Sequence, residues 1–502
     1  MKKDINHNIL NRRVSKFTYP FFVILFLFFG ANTFAQWQPD NTTAEAYQLV
    51  LSLKLDQAES RLVDSVETPS HLFVNHLSKA IRAIIDNNDE VFEEFKQYHS
   101  YSYDLLQDFD SDSPYKNFYR AEMQLQSALV HLKHNEEWSS VLSLRKAYII
   151  IKSNTEKYPE FLPNYKTYGL IHIIIGSVPS NYQWALSILG FDGETKQGLL
   201  ELDLLANSNN LYHKEATILI SLVNSYILQN SSIAVDELKP LYQANKNNIL
   251  FGYFYASLLI KNAESEKALN IINHLLSVQN KEQHISFPIL EYLKAEIMLQ
   301  KGNFSSSISW YNHFVNTQKG SDFIKDSYYK IALNYLLLGE KEKSLEFIEL
   351  AISNGTTHTE ADKYAHSKLM DIPLSNPIIL RLRYAIDGGY YDRANTIIDQ
   401  IDDFNFANKI DEVEYDYRKA RLYHKTNKIT MAIALYKVTI NNTVNTEWYF
   451  GANAALQLGY IYKNQKKLEM AEKYFKIAMN YKGHEYKNSI DNKAKSALSS
   501  LK

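Results

Sequence analysis

Gly193-Glu-Thr-Lys-Gln-Gly198 has the glycine spacing of a phosphate-cradling loop, but Leu199 and Leu200 stand where Lys and Ser or Thr must reach phosphate and magnesium, so the motif fails. Asp108, Asp110 and Asp112 imitate the start of a calcium loop, yet Ser113 replaces its turn glycine and Tyr119 its bidentate glutamate. A solvated acidic loop is the expectation. His131 and His134 can share a helix face near Glu136 and Glu137, without the order or the third ligand of a zinc site. No G-x-S-x-G elbow occurs, and with no cysteine in the chain a thiol nucleophile, a thiolate metal site and a disulfide are all excluded. No catalytic residue, metal ligand or cofactor is therefore assigned. What remains is recognition chemistry. Tyr253, Tyr292, Tyr329 and Tyr417 recur at one position of successive helices, each with a flat apolar face and a hydroxyl, and Arg421, His424, Lys425 and Lys463 are cations able to receive a carboxylate. These eight are the candidate ligand-binding residues. For the tyrosines the alternative is plain packing against the next helix.

The helices that position them follow a comb of small and large residues. Leu458, Gly459, Tyr462, Ala471, Phe475 and Ala478 stand at the intervals of the tetratricopeptide repeat (TPR) signature, in which two helices occupy 34 residues. Positions 8 and 20 are small because the two backbones approach there, and positions 11 and 24 are bulky and fill the flanking space. Ala256/Leu259/Ala268/Ile272, Ala295/Met298/Ser307/Tyr311, Ala332/Tyr335/Ser344/Ile348 and Ala420/Tyr423/Ala432/Tyr436 fit the same frame. Fainter matches are Ala46/Leu49/Ala58/Leu62, Ala128/Ser140/Leu144/Ala147 and Leu222/Ala234/Leu238/Leu241, and a unit around Ala80 fits poorly. Gly389, Ala394, Ile398 and Ile401 mark a weaker unit after Asp371–Pro377, whose two prolines read as a loop that changes the superhelical pitch. The fold class expected is all-α, a right-handed TPR-type α-solenoid of stacked helical hairpins. Its C-terminal array spans 249–485, followed by a capping helix at 486–502.

Within the N-terminal hairpins, 36–248, Gly169 and Gly198 take positions 8 and 20 of one unit, but seventeen residues too far apart. The extra segment, about 176–193, is apolar with Gly and Pro at its borders, which predicts a short buried helix between turns. Tyr168-Gly169, Gly176-Ser177, Pro179, Gly190-Phe191-x-Gly193 and Gly198-Leu199-x-x-Leu202 together resemble the signature segment of the inclusion-body clearance family of TPR proteins, and exported bacterial TPR proteins carry comparable segments. That resemblance implies an all-helical, non-catalytic protein.

Residues 1–35 differ from the rest. Lys2, Lys3, Arg12, Arg13 and Lys16 precede an unbroken apolar run, Phe21–Phe29, and Thr33-Phe34-Ala35 supplies a cleavage boundary before Gln36, the pattern of a secretory signal peptide. An uncleaved anchor is the alternative. Without that segment the formal charge falls from −2 to −6, and no Lys/Arg block follows to attract nucleic acid. The expected function is an exported scaffold for a protein or peptide partner, in the periplasm or associated with the outer membrane, without a transmembrane span after signal removal. A carbohydrate-binding or uptake accessory protein with a tyrosine-lined groove is the alternative.

Overall fold

The computed structural model describes residues 37–63, 68–109, 112–178, 186, 190–401, 406–484, 486–499 and 501. The expected signal segment lies outside them, as does most of the inserted stretch, including the residues around Trp184 where the sequence predicts a short helix. Helices follow one another as packed hairpins. The first four pair α1 (Asn41–Leu51) with α2 (Leu55–Val63), α3 (Pro69–Asp86) with α4 (Asp89–Asp108), α5 (Pro114–Lys133) with α6 (Glu137–Lys157) and α7 (Asn164–Ser177) with α8 (Thr195–Ala206). The next four pair α9 (His213–Tyr226) with α10 (Ser231–Ala244), α11 (Ile249–Lys261) with α12 (Ser265–Lys281), α13 (Ile289–Lys301) with α14 (Phe304–Thr317) and α15 (Ile324–Leu338) with α16 (Lys341–Ser353). After an extra helix α17 (Glu360–Lys368) come α18 (Pro377–Asp387) with α19 (Tyr391–Ile401), α20 (Lys409–Lys425) with α21 (Ile429–Asn442), α22 (Tyr449–Asn464) with α23 (Leu468–Asn480), and finally α24 (Lys487–Ser499).

Helix starts are written locally. Asp40, Thr68, Asn248 and Asn376 each accept a backbone N–H of the following turn, and Pro69 and Pro377 open α3 and α18, where a missing N–H costs nothing. The hairpin turns share one device. Leu53, Asn135, Gln229, Ala263, Gly302, Gly339, Gly389, Asn427 and Lys466 all have positive φ, and each lies seven residues after the crossing position of its repeat. One left-handed residue reverses the chain tightly enough for the second helix to lie along the first.

The crossings obey the frame. The hydroxyls of Ser307 and Ser344, at position 20, donate to the carbonyls of Ala295 and Ala332, at position 8, both at 2.9 Å. At the enlarged unit a Cβ on Gly198 would sit 2.3 Å from the carbonyl oxygen of Gly169, and one on Gly169 would sit 2.8 Å from that of Gly198, so α7 and α8 touch backbone to backbone. Even with the insertion, the chain returns to the same crossing. The glycines of the failed phosphate motif serve this packing.

One apolar cluster holds residues from Trp37 to Met298 and spans the expected boundary at 248/249, with Ala80, Phe92 and Phe95 in a small cluster of their own. Asp371–Pro377 corrects the loop expectation: Leu369–Leu374 is a 3₁₀ turn that buries Leu369 and Ile372, and it tucks beneath α15 and α16. Together with α17 it lets α18 pack on α13, two repeats back. Ser265 N–H donates to Gly388 O at 3.2 Å, Arg393 Nη1 to Lys301 O at 2.7 Å and Tyr390 OH to Glu266 Oε2 at 3.0 Å. Gly389 is required there, since its φ is +80° and a Cβ would lie 1.8 Å from Ala263 O.

An earlier turn of the superhelix closes in the same way. Ile285 N–H donates to Leu53 O at 2.9 Å, Lys54 Nζ meets Glu282 Oε2 at 2.5 Å, Lys319 Nζ meets Asp86 Oδ2 at 3.0 Å, and Lys133 pairs with Asp322. The first hairpins thus meet the residues around α14, and the helices between them line a half-open cavity of about 460 Å³. Ile490, Ala494 and Ala497 bury one face of α24 against α22 and α23.

Candidate functional site

Arginines on consecutive first helices face a common hollow. Arg383 follows the crossing position Leu382 of α18, Arg421 follows the crossing position Ala420 of α20, and Arg418 lies nearly one turn before Arg421. With Asp387, Tyr417, Tyr449, Asn453, Gln457, Tyr486 and Lys493 they line a hollow of about 280 Å³ between α18, α20, α22 and α24. A second hollow of about 670 Å³ adjoins it, sharing Arg383, Arg418 and Tyr449 and adding Tyr329, Tyr364 and Trp448.

Each arginine is held in place by a partner on its own or a neighbouring repeat. Arg421 Nη1 donates to Asp387 Oδ1 at 2.7 Å; Arg418 Nη2 donates to Glu414 Oε1 at 2.6 Å and to the Tyr449 hydroxyl at 2.8 Å. Arg383 Nη1 donates to the Tyr364 hydroxyl at 3.2 Å, and its Nε lies 3.8 Å from Asp387 Oδ2. Rings pack against the guanidinium groups: Arg418 lies 5.2 Å from the centroid of Tyr417, and Arg383 5.6 Å from that of Tyr384. Burial pushes the Asp387 carboxyl up, but Arg421, Arg383 and Arg418 outweigh it and hold the carboxyl below its ordinary range. Burial likewise raises the Tyr364 hydroxyl, and the adjacent Arg383 turns the net shift downward. The larger hollow carries more acids than bases, Asp371, Asp411, Glu414 and Glu447 against Lys368, Arg383 and Arg418, whereas the smaller one sets Arg383, Arg418, Arg421 and Lys493 against Asp387 alone, an excess of positive charge in a partly desolvated hollow. Such a site favours an acidic group.

The eight residues singled out from the sequence fall in different places. Arg421 and Tyr417 line the basic hollow and Tyr329 its neighbour. Tyr253 lines the separate 460 Å³ cavity, half-buried, with its ring 5.2 Å from that of Phe287. Tyr292 lines neither arginine hollow: its hydroxyl donates to Asp326 Oδ2 at 2.6 Å, inside the helix stack. Tyr292, Tyr329 and Tyr417 are all buried, and Tyr292 and Tyr417 pack toward the next first helix. His424 packs edge-on to Tyr436, and burial pulls it down to about 4; neither it nor Lys425 or Lys463 lines the hollows. Sequence reading missed Arg383, Arg418, Tyr449, Tyr486 and Lys493. One signal was available: Arg383 and Arg421 occupy the same frame position in consecutive repeats.

The histidines and the acidic loop set aside in the sequence make local contacts. His134 stacks on Phe92 at 4.1 Å between centroids, His131 Nδ1 lies 2.9 Å from Glu136 Oε2, and Asp112 pairs with Lys157. Among the described residues no group of His, Asp and Glu is placed to hold a metal, and no helix is long and apolar enough to cross a membrane.

Residues 165–366 match the family described as Iml2/Tetratricopeptide repeat protein 39, and residues 452–483 match a tetratricopeptide repeat. The first match contains the Gly169–Gly198 crossing and the second the Gly459–Ala471 comb, so the chain carries tetratricopeptide repeats and its enlarged unit lies within the region similar to the Iml2/Tetratricopeptide repeat protein 39 family. No curated protein matches the chain in sequence. Similar solved structures include a human IFIT1 dimer with PPP-AAAA, 12% identical over 88% of this chain and 95% of that one, TM-score 0.34. Another is the apo form of the quorum sensor NprR from B. thuringiensis, 13% identical over 88% and 97%, TM-score 0.29. Neither bears on the chemistry of the hollows.

Proposed function

We propose that the chain is an exported, non-catalytic scaffold of the cell envelope that holds an acidic segment of a protein partner in the basic hollow. TPR-type repeats supply the interaction surface. The observation that carries the choice of partner is the charge excess of Arg383, Arg418, Arg421 and Lys493 over Asp387 in the smaller hollow. The guanidinium forks are pre-positioned by Tyr449, Tyr364 and Asp387, so little side-chain entropy is lost when a carboxylate enters. The smaller hollow suits a carboxylate-bearing side chain or chain terminus, and the larger one beside it has room for the residues leading to it. Export rests on the basic, apolar and small-residue pattern of residues 1–35.

A second reading, carbohydrate binding, draws on the half-buried rings of Trp448, Tyr364 and Tyr449 in the larger hollow. Peptide arrays graded in Asp and Glu content, run beside a glycan array, separate the two. The scaffold reading expects binding that rises with acidic content and weakens by about 1–3 kcal/mol in Arg383→Gln and Lys493→Gln, with strong screening by salt. Binding to glycans that ignores both substitutions would support the second reading instead. N-terminal sequencing of protein from an envelope fraction should begin at Gln36 or next to it, and a retained Met1 on soluble protein would remove the export claim.

A further inference from the structure

The 460 Å³ cavity lies apart from the arginine hollows and has the opposite chemistry. Ile81 and Ile84 of α3, Leu129 of α5, Leu170 of α7, Leu219 of α9 and Phe254 of α11 turn one apolar side chain after another into it. They are only half-buried, apart from Leu129, which is 40% exposed, although each lies on the concave side of a closed superhelical turn. Phe287, Phe314 and Phe323 complete the wall where the turn closes. The volume falls in the range of small-molecule sites, roughly 300–1,000 Å³. Aliphatic surface on this scale, sheltered in a half-open cavity yet not packed, marks a ligand site.

The charged groups of the wall define what enters. Lys166 Nζ meets Glu122 Oε2 at 2.7 Å and Glu215 Oε2 at 2.9 Å, and Lys133 pairs with Asp322, so both lysines face carboxylates of the protein itself. Burial pushes the Glu215 carboxyl up to about 8, so Glu122 and Asp322 balance the two lysines and the wall offers no net positive charge to draw an anionic head group. Two buried polar atoms of the wall, Gln126 Nε2 and Asp322 Oδ1, have no hydrogen-bond partner among the described residues. The carbonyl oxygen of the same Gln126 side chain is taken by His76 Nδ1 at 2.6 Å, which leaves the amide N–H₂ free for a ligand. One donor and one acceptor beside an aliphatic chamber fit a head group with a carbonyl and a hydroxyl. A peptide fits poorly, because every residue brings its own N–H and C=O and an apolar wall cannot satisfy them.

We propose that this cavity binds an uncharged single-chain lipid, its aliphatic tail along α3, α5, α7, α9 and α11 and its ester or hydroxyl head at Gln126 and Asp322. The test uses the full chain, stripped of lipid, loaded with the neutral dye Nile red and titrated with 1-monopalmitoylglycerol, palmitate or an apolar peptide. Monopalmitoylglycerol should displace the dye at one per chain, and palmitate should bind at least about tenfold more weakly. Leu129→Trp and Leu219→Trp, placed on half-exposed or exposed wall positions, should each weaken monopalmitoylglycerol by about tenfold or more with the melting curve unchanged. Absence of saturable binding in the unmodified protein, equal affinity for palmitate, preference for the peptide, or indifference to both tryptophans would overturn the proposal. Should the variants fold poorly, stoichiometry and head-group preference in the unmodified chain still decide it.

Discussion

Tyr292, Tyr329 and Tyr417 share a frame position with Tyr253, yet three of the four are buried and only Tyr253 meets the apolar cavity. The difference comes from the partners that the next repeat offers: Asp326 on α15 draws in the Tyr292 hydroxyl, and Phe450 on α22 packs against Tyr417. A periodic sequence pattern tells which helix face a side chain occupies. It does not tell whether the neighbouring helix brings a partner for its hydroxyl. The same scale yields a pH prediction. Burial, with His99 beside it, pulls His76 down to about 3, and burial pulls His99 down to about 4. Their unfolded value is about 6.5, so the unfolded chain binds more protons in acid, and the stability these histidines contribute is lost as pH falls from there toward their folded values. His76→Asn, which keeps a donor for Gln126 Oε1, should flatten that loss in denaturant unfolding measured across the window. An unchanged slope would mean that His76 already carries its proton in the folded chain.

Crossings and turns were the legible part of each element, because a position 8 and its position 20 are joined by one short hairpin. Ser307 and Ser344 confirm that register atom by atom, and the nine left-handed turn residues repeat it. Two substitutions separate the causes. Gly339→Ala meets nothing within 4 Å, so its cost is the left-handed backbone alone, about 1–2 kcal/mol, whereas Gly389→Ala adds a clash with the Ala263 carbonyl and should cost clearly more. Gly198→Ala forces α7 and α8 apart and should cost on the order of 1–3 kcal/mol, while exposed Leu200→Ala beside it should cost far less. Thermal melts rank the four, and equal values for Gly198→Ala and Leu200→Ala would contradict the glycine crossing. The stretch Asp371–Pro377 was not legible, because prolines announce the end of a helix without specifying the conformation that comes after it; Pro373 sits in a 3₁₀ turn and Pro377 begins the next helix.

At the scale of the whole molecule, the sequence carries no local sign of how tightly the solenoid winds. Lys54 and Glu282, or Lys319 and Asp86, are ordinary charged residues in their own hairpins, and the pitch that joins them is a sum of small rotations over many crossings. The apolar cavity depends on that pitch, since Phe287, Phe314 and Phe323 reach Ile84 and Leu129 only where the turn closes. The most direct measurement is zero-length carbodiimide coupling of the folded chain, with mass spectrometry of the cross-linked peptides. Closure predicts amide links between Lys54 and Glu282, Lys319 and Asp86, and Lys133 and Asp322, all lost on unfolding. Links confined to residues within a hairpin or between adjacent hairpins, with these three absent, would mean an open solenoid and no sheltered cavity.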